Sequence, residues 1–398
     1  MPKKPKRGNG LISDVVVAGG AMTPFNRRKD GSSFRDWARS AVRGALDDAG
    51  LNAADIDALI VASESDFFTL QLNPAAVLAD HCGLTSVAAK RVEGGGASGH
   101  LAVHAGIAEV ASGMARRVLV LGVEPSASHL KGIDVGALYS LSFDAWTDGF
   151  TGVDSTSLYA LSAQAFMART DATLDDFAKI AVRNRTNACS NPNAHLPLDI
   201  TVEDVAASVV VASPYRRLDC SPLSDGAAAI ILARAQDLPE RPEGHARFKA
   251  AVSAVDNVRL GERNDPGFFK GKQAAANRAY RFADLVPDDI GLVEAYDSYS
   301  GAQLQALEAL GLAQEQTITA ERNGVFSGDG ACPVNLSGGL LGQGAPVGAT
   351  GVTQVLTAAL QLEGRYFGRQ VISAPRFALV DTHGGIASLN AISILEAP

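Results

Sequence analysis

Apolar positions follow two alternating rhythms along this chain. Short, nearly continuous apolar runs at Asp14–Gly19, Ile56–Ala62 and Arg117–Val123 read as strands buried on both faces. Between them lie longer stretches with apolar residues at helical spacing. Phe34–Ala49 places Trp37, Ala38, Ala41, Val42, Ala45 and Leu46 on one face, with Gly50 as its stop. Leu72–Cys82 predicts a second helix and Leu101–Ala115 a third. Strands alternating with helices indicate an α/β fold built on parallel strands.

From Glu124 to about Asp199 the pattern becomes polar, glycine-rich and aromatic, with two helical segments at Ser157–Thr170 and Thr173–Ala188. This predicts a loop domain, inserted about residues 124–210 over one edge of the sheet. Asn184–Leu196 has no core pattern and reads as a surface loop. Ile200–Ser208 resembles a helix capped by Thr201, with Asp204 three residues on. The apolar run Ala227–Ala233 returns the chain to the core, and Pro239–His245 is the best linker candidate. The pattern then recurs: strands at Phe248–Val255, Ile290–Tyr296, Phe377–Asp381 and Ile386–Leu395, and helices at Ala274–Ala283, Ser300–Leu310 and Thr353–Gly364. The division expected is therefore a leader over 1–13, a first half over 14–245 and a second half over 246–398.

Composition narrows the function classes. The 398 residues carry a net charge of −8, which argues against nucleic acid as the main partner. Lys3, Lys4, Lys6 and Arg7 form a basic cluster too short to override that balance. No apolar run reaches the ~18 residues of a membrane span, and no secretory signal pattern opens the chain. Cys82, Cys189, Cys220 and Cys332 are scattered without metal-ligand spacing and fit free thiols in a reducing cytoplasm. His100 and His104 stand four residues apart on a helix, but no carboxylate or thiol joins them in sequence, so no metal is expected.

The stretch Arg91–His100 (RVEGGGASGH) follows a strand and opens a helix. Such a turn presents its tip to a pocket at the positive end of the helix. Enzymes place nucleophiles there, yet this tip offers glycines and Ser98, which reads as a helix cap.

Four segments together resemble the thiolase superfamily. Val92–Gly99 resembles its nucleophile loop, and Asp219–Ala229 (DCSPLSDGAAA) the segment re-entering the core. Asn335–Gly351 (NLSGGLLGQGAPVGATG) resembles its catalytic-histidine loop, and Thr382–Ile386 (THGGI) its C-terminal glycine loop. Val293–Leu312 is similar to the sterol-carrier-protein type. The resemblance implies a five-layered αβαβα fold of two pseudo-repeated halves, an acyl-CoA ligand and no other cofactor. It also implies a homodimer or homotetramer. Some members pair with a small OB-fold/zinc-ribbon subunit, which makes such a partner a candidate.

The resemblance also assigns positions. The nucleophilic cysteine falls at Gly96, and the histidine that activates it falls at Ala345. Gly96 keeps a backbone N–H that serves half of an oxyanion hole, completed from the Gly384 turn. A histidine that holds the thioester oxygen in the sterol-carrier-protein type falls at Tyr296, where steroid side-chain aldolases of this superfamily use tyrosine as acid/base. Those aldolases carry a second tyrosine in the histidine loop, where this chain has Ala345. The second acid/base falls at Asp381, with His383 two residues on. Arg183, Arg185, Arg216 and Arg217 lie where CoA phosphates need cations.

Three functions follow as expectations. The first is retro-aldol cleavage of a 3-hydroxyacyl-CoA in lipid- or steroid-type catabolism, with Tyr296 and Asp381 or His383 moving protons. The second is a catalytically inactive acyl-CoA-binding or scaffold subunit. The third is an acyltransferase of the acetyl-CoA acetyltransferase kind using a displaced cysteine, for which Cys332 is nearest to the histidine loop in sequence.

Overall fold

A computed structural model describes residues 12–27, 30–128 and 132–398. The expected leader falls mostly on residues 1–11, outside the described residues. The first half builds strands β1 (Val15–Met22), β2 (Ala58–Ala62), β3 (Ala88–Val92) and β4 (Arg117–Pro125). Between them run helices α1 (Phe34–Ala49), α2 (Asp66–Thr69), α3 (Pro74–His81) and α4 (Ser98–Ser112). The α1 helix begins at a capping box in which Ser33 and Asp36 satisfy one another's backbone. Its face of Trp37, Ala38, Ala41, Val42 and Ala45 is buried against β1, β4 and the returning strand. Burying a side chain such as Val42 is worth about 1.5–3 kcal/mol.

The inserted region carries α5 (Gly132–Tyr139), α6 (Ser155–Arg169), α7 (Leu174–Ala188), α8 (Val202–Ala207) and a hairpin of β5 (Val210–Ala212) with β6 (Tyr215–Arg216). Thr201 and Asp204 form the expected capping box on α8. Strand β7 (Asp225–Arg234) then re-enters the sheet between β4 and β1. The reading of Asn184–Leu196 as a surface loop is overturned in its first part. The α7 helix continues through Ala188, and Asn184, Asn187 and Asn191 are buried. Asn187 and Asn191 donate to the carbonyls of Asn335 and Ser337, and Asn184 to the Asp297 carboxylate. These residues are interior because they satisfy another loop's polar groups, which no apolar pattern announces.

The second half supplies β8 (Arg247–Val255), α9 (Lys270–Ala283), β9 (Ile290–Glu294), α10 (Ser300–Leu310) and α11 (Thr317–Arg322). It continues with α12 (Gly339–Gly342), α13 (Val347–Leu362), β10 (Phe377–Gly384) and β11 (Leu389–Glu396). The strand order is β3-β2-β4-β7-β1-β8-β11-β10-β9, and the halves meet through the single pair Val16↔Arg247. In the first half β2 runs parallel to both β3 and β4, and in the second half β9 runs parallel to β10.

Helices α4 and α13 pack on each other. The α13 helix touches β4 and β7 on one side and β9 and β10 on the other. One apolar core fills this middle, joining Ile60, Val118 and Ile230 to Val352, Val380 and Leu395. A second core lies under α1 and α3, and a third under α9 and α10. The layers are therefore helix, sheet, helix, sheet, helix, as expected for the αβαβα fold. No helix among the described residues is long and apolar enough to cross a membrane.

Candidate active site

The carboxyl ends of β2, β9 and β10 open on one cavity of about 300 Å³, the usual place for a ligand in an α/β sheet. The inserted region covers it with Tyr139, Phe143, Thr156 and Tyr159. Gly96, Tyr296, Ala345 and His383, four positions far apart in sequence, all line this space. Asp381 and Gly384 do not.

The glycine turn is bare for a steric reason. A β-carbon on Gly96 would fall on Tyr296 Oη and the His383 carbonyl oxygen, closer than real Cβ contacts occur, with Tyr296 Cζ 3.0 Å away. Gly384 backs the turn, since a β-carbon there would collide with the Gly94 carbonyl and lie 3.3 Å from Gly96 N. Ser98 is fully buried: its Oγ donates to the Gly95 carbonyl (2.6 Å) and accepts from Gly94 N–H (3.0 Å). It ties the turn and does not face the cavity.

Tyr296 follows β9 and packs against Leu340 and Ala345, so the place of an imidazole is taken by an apolar wall. Its ring centroid is 4.5 Å from that of His383. Burial, then the nearby Tyr159 and Glu64, hold its phenol well above the ordinary value of 10.0, so it is a proton donor at neutral pH.

His383 is fully buried and held at both nitrogens. Lys272 Nζ donates to Nδ1 at 3.0 Å, and Nε2 lies 2.7 Å from Tyr159 Oη. Tyr159 spends its own proton on the Gly385 carbonyl at 2.7 Å, so the Nε2 proton points to Tyr159. Burial, with the charges of Lys272 and Arg263, keeps this imidazole neutral by lowering its pKa well below 6.5.

Asp381 is not a free base. Both its oxygens lie 2.5 Å from Lys272 Nζ in a fully buried ion pair behind His383. Asp381 and His383, two residues apart on β10, both contact Lys272, but only His383 reaches the cavity. Lys272 escaped the sequence reading, although a signal existed. It sits on the same face of α9 as Ala275, Ala276, Ala279 and Ala283, where a lysine interrupts an apolar stripe.

Glu64 escaped it too. It leaves the carboxyl end of β2 and lines the cavity, and burial raises its carboxyl to about 7. An acidic residue just past a buried parallel strand was the available signal. Of the four arginines expected to hold phosphates, only Arg217, exposed beside the cavity, lines it. Arg183 pairs with Glu321, Arg185 donates to the carbonyls of Leu218 and Cys220, and Arg216 to that of Ser208. Cys332 is buried in the outer core with Val334 and Phe326. The thiol that does line the cavity is Cys220, which donates to the Arg216 carbonyl at 3.3 Å and is pushed up by burial to about 12. His100 bonds Thr382 and Ser393 at 2.5 and 2.8 Å, and His104 shares Ser393 at 3.1 Å.

The chain as a whole has relatives among known proteins. A thiolase N-terminal domain model matches residues 15–236, and a thiolase C-terminal domain-like model matches 252–397. The acetyl-CoA acetyltransferase of Methanothermobacter thermautotrophicus is 38% identical, over 97% of this chain and 100% of that protein. Human sterol carrier protein 2 is 28% identical over 90% of this chain and 68% of its own length. The solved structure of the Ltp2-ChsH2(DUF35) aldolase superposes with a TM-score of 0.82 at 27% identity, covering 97% of this chain and 98% of that one.

Proposed function

The chain belongs to the thiolase superfamily, and within it we propose that this chain binds an acyl-CoA and cleaves a 3-hydroxyacyl-CoA by retro-aldol chemistry, with no acyl-enzyme. The observation that carries the reading is Tyr296 Oη in the volume that any side chain on residue 96 would need. A thiol at 96 and a phenol at 296 exclude one another, and Gly96 with Tyr296 is the pair that fits.

In the reaction the 3-hydroxyl loses its proton and C3 becomes a carbonyl. The C2–C3 electron pair passes into a thioester enolate, which takes a proton at C2 and leaves as the shorter acyl-CoA. Burial keeps Tyr296 protonated, which suits it to donate to that enolate. On this reading the Gly96 N–H is the backbone donor for the thioester oxygen, with Gly384 backing the turn. His383 positions Tyr159, and Asp381 acts through Lys272, so both Asp381 and Lys272 are positioning residues. Arg217 supplies the cation for CoA phosphates. The two-component description of the Ltp2-ChsH2(DUF35) aldolase supports testing this chain with a DUF35 partner.

An acyltransferase is the second reading, favoured by the name of the 38% identical relative. It requires a thiolate, and a Cys220 thiol pushed up to about 12 stays protonated at neutral pH. The two readings separate by product. Incubation with a branched 3-hydroxyacyl-CoA is expected to release an aldehyde or ketone, and Tyr296→Phe to slow that release by about 10²–10⁴-fold. Thiolysis of acetoacetyl-CoA by CoA, lost on thiol alkylation, would overturn the proposal in favour of the acyltransferase. Binding of CoA esters with neither reaction would leave an inactive or scaffold subunit.

A further inference from the structure

A retro-aldol site needs a proton acceptor, and the groups given a role so far supply none. Tyr139, Tyr159, Tyr296 and Tyr299 all line the cavity, and burial holds each phenol above its ordinary value, so all are donors. His383 has both nitrogens engaged. Asp381 lies behind it on Lys272. Asp154 is exposed at the rim and accepts the Ser157 N–H that starts α6.

Glu64 remains. Strand β2 ends at Ala62, and the next two residues are fixed by Glu124 on the neighbouring strand β4. Glu64 N–H donates to Glu124 Oε2 at 2.6 Å, and Ser63 Oγ donates to Glu124 Oε1 at 3.1 Å. Gly348 N–H, opening α13, donates to the same carboxyl at 3.1 Å. With its backbone pinned this way, Glu64 turns its side chain into the cavity wall. Its Oε1 accepts from Ser142 Oγ at 3.2 Å and lies 3.8 Å from where a β-carbon on Gly95 would sit. Its Oε2 is buried with no hydrogen-bond partner. Oε2 is thus a buried carboxylate oxygen without a hydrogen-bond partner on a side chain that lines the cavity beside the glycine turn, an acceptor held for a donor that arrives with the ligand.

We infer that Glu64 is a further catalytic residue, the group that takes the proton from the 3-hydroxyl of a 3-hydroxyacyl-CoA. The inference rests on the retro-aldol reading. The Glu64 carboxylate removes the hydroxyl proton, and the freed O–H pair forms the C3 carbonyl. The C2–C3 bond breaks into the enolate, and Tyr296 gives its proton to C2. The proton on Glu64 then returns to the Tyr296 phenolate, so no proton is gained or lost. Burial supports this role by raising the carboxyl to about 7, against the Ser142 hydrogen bond and with the Glu93 charge adding to it. A base is most effective when its pKa lies near the working pH.

The titratable groups facing Glu64 are Glu93 from the glycine turn, Glu124 from β4, Tyr139 from α5, Tyr159 from α6 and Tyr296 after β9. Of these, Glu124, raised to about 8 by burial, titrates in an overlapping range. The test is therefore a pH profile of kcat/KM for the wild-type protein, Glu64→Gln, Glu64→Asp and Glu124→Gln. Wild type is expected to rise through about pH 7 to a plateau. Glu64→Gln is expected to lose about 10²–10⁴-fold on that plateau together with the rise. Glu64→Asp and Glu124→Gln are expected to keep the rise. A Glu64→Gln variant with wild-type rate and profile overturns the inference and leaves the cleavage reading standing.

Binding separates the two claims further. At pH 8 wild type is expected to bind the 3-hydroxyacyl-CoA about tenfold or more tighter than the same ester lacking the hydroxyl, and Glu64→Gln is expected to lose that preference. The preference without cleavage defeats the retro-aldol reading but keeps Glu64 as the hydroxyl's acceptor. Equal binding of both esters by wild type overturns the inference about Glu64.

Discussion

The two walls of the cavity are built on opposite principles. One wall is backbone: the Gly94–Gly96 turn meets Gly384 at distances that admit no side chain. The other is crowded with titratable groups, Tyr296, His383 and Glu64 at the surface and Lys272 with Asp381 behind. The bare wall has the strand–turn–helix form that presents a nucleophile, yet it carries none, and its one hydroxyl, Ser98, ties the turn from within. The crowded wall has no activated nucleophile, but burial sets each group's protonation: phenols protonated, imidazole neutral, one carboxyl poised near 7. On the retro-aldol reading, the bare wall keeps the ligand-facing geometry and the crowded wall carries the chemistry. Gly96 and Tyr296 couple the two walls, because the phenol stands where a side chain on residue 96 would be.

Disrupting the crowded wall from behind has the largest expected effect on stability. Lys272→Met leaves the Asp381 carboxylate buried and unpaired, which costs about 3–5 kcal/mol. Denaturant unfolding measures it, and Lys272→Met with Asp381→Leu is expected to recover most of the loss. Equal stability of wild type and Lys272→Met would mean that the ion pair is not what holds His383.

Filling the bare wall comes next. Gly96→Ala places a methyl against Tyr296 Oη and is expected to destabilise by about 1–3 kcal/mol, as overpacked sites do. Combining it with Tyr296→Phe removes one of the two clashes. A double-mutant cycle is then expected to show coupling of about 0.5–3 kcal/mol. Strict additivity would mean that the two walls are independent.

At neutral pH the smallest effect lies at His104. His104 is lowered to about 4 by burial, below the ~6.5 of an unfolded histidine. Its contribution is present above about pH 6.5 and is lost as pH falls toward 4, because the unfolded chain binds the proton first. His104→Gln is therefore expected to unfold with a shallower pH dependence in that window, by at most ~1.4 kcal/mol per pH unit. Parallel stability curves for the two proteins from pH 7 to 4 would contradict a buried neutral His104.

Much of the architecture is legible in the sequence because it rests on apolar periodicity. The α1 and α10 helices fall where Phe34–Ala49 and Ser300–Leu310 predict them. The alternation of strands and helices anticipates a layered α/β core. Polar burial is less legible. Asn184, Asn187 and Asn191 look like a loop because their partners, Asp297 and the carbonyls of Asn335 and Ser337, come from another part of the chain. The site shows the same split. Gly96, Tyr296, Ala345 and His383 can be located by family motif, and they do converge on one cavity. Asp381 reads from sequence as an acid/base, whereas in the structure both its oxygens are engaged by Lys272, 109 residues away. Glu64 gains its place from Glu124 across a parallel strand pair, a relation that exists only once the sheet has formed.

The central claim is that cleavage proceeds without a covalent intermediate. Single-turnover reaction with a 3-hydroxyacyl-CoA, followed together by carbonyl release and the intact mass of the protein, tests it most directly. Release of the aldehyde or ketone is expected while the protein mass stays unchanged throughout. A transient mass increase equal to an acyl group, carried on Cys220 or any other thiol, would contradict it.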